Sequence, residues 1–91
     1  MKGDLLMYDY PLDYDWSTDE ILIVINLYNA VEKAYEEGIE TNEFMDAYNA
    51  YREVLNSKAE EKKYEREFKD ASSYSIFAVY KEALKGGFIK L

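Results

Sequence analysis

Nineteen carboxylates and ten tyrosines in 91 residues are the groups with which this chain could do chemistry. The most ordered set is Glu40, Glu43, Glu67 and Asp70, an E-x-x-E followed later by an E-x-x-D. On two facing helices such carboxylates would hold Mg²⁺ against a polyphosphate, and the reaction would be nucleotide pyrophosphohydrolysis by an all-α enzyme. That chemistry requires each pair to share one helical face. Gly38 and Thr41 instead put Glu40 in the connection between two helices, and an acidic chain produces this spacing easily by chance. The set is the enzymatic alternative to a surface whose acids are simply solvated.

Asp13, Asp15, Ser17 and Asp19 stand at alternate positions, as the first ligands of a calcium-binding loop would. The loop then fails: Thr18 occupies the place where the turn needs glycine, and Val24 the place of the bidentate glutamate. These acids fit better beside the positive end of a helix dipole. With no histidine and no cysteine, the chain has no imidazole base, thiolate nucleophile or Ser-His-Asp arrangement. It also lacks the usual ligands of zinc sites and iron–sulfur clusters. No catalytic, cofactor-binding or metal-ligating residue is assigned by the sequence, and no cofactor is implied.

Charge bears on partners. The net charge of −8 opposes binding to a phosphate backbone, so nucleic acid is not an expected partner. Residues 1–53 hold 13 acidic and 3 basic residues, net −10, whereas residues 54–91 hold 6 acidic and 8 basic, net +2. This asymmetry would suit a basic protein partner or the basic half of a second copy. Absence of cysteine removes any disulfide framework. The longest apolar run, Ile21 to Ile25, is too short for a membrane span or a signal peptide. The expected location is the cytoplasm, without membrane attachment.

The elements that must position these groups are helices. Ser17 and Glu20 form an S-x-x-E capping box, with Trp16 before it and Ile21 after it as a hydrophobic staple. The first helix is expected over about 18–37, ended by Gly38. It is apolar on most sides, so Ile23, Leu27 and Ala30 are expected to need cover from a second copy, the N-terminal arm or the tail. A second helix over 42–55 would bury Phe44, Ala47, Tyr48, Tyr51, Val54 and Leu55. Ser57 and Glu60 repeat the capping pattern and open a third, over 58–71, with a thin apolar seam of Tyr64, Phe68 and Ala71. Its charged face offers Glu65–Lys69, Lys63–Glu67 and Arg66–Asp70 as i,i+4 pairs. Ser72, Ser73 and Ser75 compete to cap a fourth helix, over 74–85.

Residues 1–16 form an extended arm expected to pack through Tyr10, Leu12 and Trp16, and 86–91 form an apolar tail. The fold class is all-α: one compact domain over residues 1–91, a bundle or irregular array of about four helices. Tyr28, Tyr35, Tyr48 and Tyr51 read as core positions whose hydroxyls reach the rim. So many tyrosines among the aromatics favour a self-association face.

Five strings, Tyr10-Pro11-Leu12-Asp13, Asp15-Trp16-Ser17-Thr18, Val31-Glu32-Lys33-Ala34-Tyr35-Glu36, Ser57-Lys58-Ala59-Glu60-Glu61-Lys62 and Ala71-Ser72-Ser73-Tyr74-Ser75, occur in order. Together they resemble uncharacterised protein family 0223, short proteins of Gram-positive bacteria. The resemblance implies a compact helical bundle and carries no assigned activity or site. This chain has Asn56 where that family pattern has proline, and Ser73 where it has glycine. The reading that results is a small non-enzymatic interaction module, self-associating as a homodimer. Its alternatives are the pyrophosphohydrolase at Glu40, Glu43, Glu67 and Asp70, and an acidic adaptor for a basic partner.

Overall fold

Serine hydroxyls start three of the four helices. In α1, Thr18–Glu36, Ser17 Oγ accepts from the Glu20 N–H at 3.1 Å while the Glu20 carboxylate accepts from the Ser17 N–H at 2.9 Å, the full capping box. The helix ends where Gly38 takes φ +100° and its N–H donates to the Lys33 carbonyl. Gly38 is required twice over, because a Cβ there would overlap the ring of Phe88. The computed structural model describes residues 10–91, so the first nine residues of the expected arm lie outside the described residues.

The remaining elements are β1 (Ile39–Glu40), α2 (Thr41–Val54), α3 (Lys58–Ser72), α4 (Ile76–Ala83) and β2 (Phe88–Ile89). The expected tail is therefore in part a strand. It pairs antiparallel with β1, Ile39 opposite Ile89 and Glu40 opposite Phe88. Thr41 strengthens this clasp, since its N–H and its hydroxyl both donate to the Gly87 carbonyl, at 3.0 and 2.6 Å. The Leu91 N–H donates to the Ala34 carbonyl at 3.0 Å. Two-residue strands have no period to read, which is why sequence pattern gives no sign of them.

Local chemistry adjusts the caps and ends of α3 and α4. The second capping box is displaced: Ser57 Oγ accepts from the Glu60 N–H, but the Glu60 carboxylate accepts from the Asn56 N–H at 2.7 Å. A proline at 56 would have no such N–H to offer. Ser73 ends α3 with φ +73°, a left-handed conformation that glycine adopts without strain. Ser75 wins the competition to cap α4, accepting from the Ala78 N–H at 3.1 Å, so the helix starts at Ile76 and not at 74. It stops at Ala83 because the following N–H groups of Lys85 and Gly86 bond three residues back.

The third helix also departs from its expected pairing. Glu65 turns away from Lys69 toward α4, accepting from the Ser75 hydroxyl at 2.8 Å and the Phe77 N–H at 3.1 Å. Ala71 is exposed, leaving Tyr64 and Phe68 as the buried stripe.

The core forms around α1. Val24, Leu27, Tyr28 and Val31 are fully buried, with Phe44, Phe68 and Val79 supplied by the other helices. Leu27 and Ala30 are both buried within one copy, so of the covers expected for them the chain itself supplies one. The Tyr28 ring stacks on Phe68 with centroids 4.5 Å apart, and Tyr10 leans on Tyr28 at 5.2 Å. The Tyr28 hydroxyl donates to the Pro11 carbonyl at 2.7 Å, and that of Tyr10 points to Asn29 Oδ1 and Glu32 Oε2. Tyr10 is buried while Leu12 and Trp16 pack against the core, so residues 10–16 dock as expected.

Candidate functional site

The four carboxylates of the enzymatic alternative are not gathered. Glu40 lies in β1 just ahead of α2, whereas Glu43, in the first turn of α2, pairs with Lys33 at 3.2 Å. Glu67 and Asp70 ride on α3. Among the described residues no three carboxylates stand together closely enough to hold a metal ion. The calcium-loop residues are likewise committed to local structure: Asp13 Oδ1 accepts from the Asp15 N–H and Ser17 caps α1.

A different site lies between α2, α3 and α4. On α2, Tyr48 and Tyr51 point the same way with Arg52 beside them; on α3, Lys58, Glu61, Lys62 and Glu65 form one strip at three- and four-residue spacing. Ile76, Phe77 and Tyr80 of α4 close the third side. These walls enclose a cleft of about 450 Å³, within the range of small-ligand and side-chain pockets. Its floor is aromatic: Tyr48 and Tyr80 stack with centroids 4.6 Å apart, and Phe77 lies 6.4 Å from Tyr80. Phe77 is 57% exposed, which is unusual for so large an apolar ring.

The rim is polar and its charges are unequally engaged. Arg52 Nε pairs with Glu61 at 3.4 Å, and the guanidinium sits 5.9 Å from the Tyr48 ring centre. Glu65 is held by the Ser75 hydroxyl and the Phe77 N–H, a carboxylate placed at the positive end of α4. Lys58 and Lys62, one turn apart on α3, are exposed and have no carboxylate partner among the described residues. Burial pushes the Tyr48 hydroxyl above its ordinary value, with Arg52 opposing and Glu61 adding. Tyr51 is pushed up further, by burial first and then by Glu65. Both therefore stay protonated at neutral pH, a form that can offer a hydrogen bond to a ligand but is not a base.

Sequence reasoning reaches parts of this site. Tyr51 is buried and Tyr48 half-buried, as core positions with rim hydroxyls should be. The lysines are hidden from it by their surroundings, since ten charged residues among the fourteen from Ser57 to Asp70 read as one solvated face.

A family model described as Uncharacterised protein family (UPF0223) matches residues 7–88. The chain belongs to uncharacterised protein family UPF0223. Among its relatives, a UPF0223 protein of Bacillus cytotoxicus is 50% identical over 77% of this chain and 79% of its own length. A UPF0223 protein of Enterococcus faecalis is 44% identical over 92% of this chain and 91% of its own. One of Staphylococcus aureus is 46% identical over 77% of each chain. The helical bundle that UPF0223 membership implied is the fold observed, and no described helix is long and apolar enough to cross a membrane.

Proposed function

We propose that this UPF0223 protein is a non-enzymatic interaction module that recognises its partner through the α2–α3–α4 cleft. The observation that carries the reading is the pairing of an aromatic floor with two lysines that have no partner in the described chain. Rings of Tyr48, Phe77 and Tyr80 offer stacking surface to an apolar or aromatic group, while Lys58 and Lys62 offer charge to an anion beside it. Both lining carboxylates are already engaged, and the tyrosine hydroxyls are held in their protonated form, which supports recognition over reaction. The preferred partner is an acidic protein segment carrying an aromatic side chain.

A short synthetic peptide alternating aspartate and tyrosine tests this. Titrated into isotopically labelled protein, it is expected to shift the NMR signals of Lys58, Lys62 and Tyr80. The same peptide with lysine in place of aspartate should not. Incubation with Mg²⁺ and nucleoside triphosphates should release no pyrophosphate. Metal-dependent release that disappears in Glu67→Gln would replace the binding reading with the enzymatic one.

A further inference from the structure

The chain itself displays a segment of the chemistry the cleft would take. Asp13 to Trp16 form a β-turn closed by the Trp16 N–H donating to the Asp13 carbonyl at 3.0 Å. Asp13 Oδ1 tightens it by accepting from the Asp15 N–H at 2.9 Å. Tyr14 stands at the corner of this turn, 75% exposed, with exposed Asp15 beside it and exposed Asp19 in the first turn of α1. The hydrogen-bonded turn has already fixed the backbone that carries this ring, so binding has less backbone freedom left to remove. Trp16, two residues on, is fixed against Tyr64 at 5.1 Å, and Tyr14 is not among the residues lining its own chain's cleft.

We propose that the Asp13–Tyr14–Asp15 turn of one copy seats in the α2–α3–α4 cleft of a second copy, with Tyr14 on the aromatic floor and Asp15 and Asp19 facing Lys58 and Lys62. The inference rests on the cleft being a recognition site, as argued above. Charge complementarity selects the occupant: the turn and the first turn of α1 present exposed Asp15 and Asp19, and the cleft rim presents exposed Lys58 and Lys62 without carboxylate partners among the described residues. Both surfaces lie on one chain, so a single turn-in-cleft contact joins two copies head to tail.

Sedimentation velocity on the full chain, across a concentration series at low salt, tests the contact. The mass is expected to rise above the 10.7 kDa of one copy and to fall with added salt. Tyr14→Ala and Lys62→Glu should each weaken association by about tenfold or more, without changing the thermal melt, since both positions are exposed. Mixing the two variants should restore association, because an intact turn then meets an intact cleft. A mass that stays at 10.7 kDa throughout, association indifferent to both variants, or a mixture no stronger than its components each overturns the proposal. If the aspartate–tyrosine peptide perturbs Lys58, Lys62 and Tyr80 while the chain stays monomeric, the second-copy contact falls and the cleft reading stands. If the chain associates but the peptide perturbs none of them, both fall.

Discussion

Two clusters of aromatic rings use the same residue types to opposite ends. Around α1, Tyr10, Tyr28, Tyr51 and Phe68 are buried, and the hydroxyls of Tyr10 and Tyr28 reach fixed acceptors on the chain. Between α2, α3 and α4, Tyr48, Phe77 and Tyr80 stack equally closely but stay open on one side, and the two hydroxyls have no acceptor among the described residues. Stacking geometry alone therefore does not distinguish a core from a recognition surface. What distinguishes them is cover: the core rings are at most 8% exposed, whereas Phe77 is 57% exposed.

The largest expected effect lies in a direct contest between the clusters. Phe68→Ala removes a fully buried ring stacked on Tyr28 and should cost about 3–5 kcal/mol of unfolding free energy. Tyr80→Ala removes a half-buried ring from the cleft and should cost about 1 kcal/mol. Urea unfolding of both variants measures the difference; equal costs would make the cleft an extension of the core and erase the contrast.

Alkaline pH sharpens the same contrast. Burial raises the Tyr28 and Tyr51 hydroxyls above the usual tyrosine value near 10. A raised pKa in the folded state means that the unfolded chain loses these protons first. Stability from these groups is thus complete below pH 10 and falls as pH rises beyond it, by up to about 1.4 kcal/mol per pH unit for each group. Unfolding free energy measured from pH 8 to 11 should be level and then fall, and Tyr28→Phe should flatten the fall.

The smallest effect is expected at the start of α1. Ser17→Ala deletes one of the two capping-box bonds and should cost about 1 kcal/mol by the same urea assay.

Much of the fold is legible in the sequence because local chemistry and tertiary packing agree there. Ser17 with Glu20, Gly38, and the spacing of Phe44, Ala47 and Tyr51 each name an element and its buried face. Legibility fails where a contact spans distant residues. Nothing near Gly87 announces that Thr41 will donate to it, and nothing near Glu65 announces that it will cap α4 instead of pairing with Lys69. The candidate site is of this second kind. Its aromatic residues are visible as core-type positions, but the cleft exists only because three helices leave Tyr48, Tyr80 and the α3 lysines around one gap. Membership of UPF0223 adds a fold to this reading and no chemistry.

The clasp between β1 and β2 affects more than the chain it closes. It joins Ile39 to Ile89 and so ties the region after α4 directly to the turn between α1 and α2. The α3 helix is held by side chains instead: Glu65 accepts from the Ser75 hydroxyl and the Phe77 N–H at the start of α4, and Phe68 stacks on Tyr28 of α1. Two walls of the cleft are therefore joined by way of a backbone clasp, and the third is joined to them through side chains. The width of the cleft thus rests on one carboxylate, Glu65, and on one ring contact, Phe68 on Tyr28.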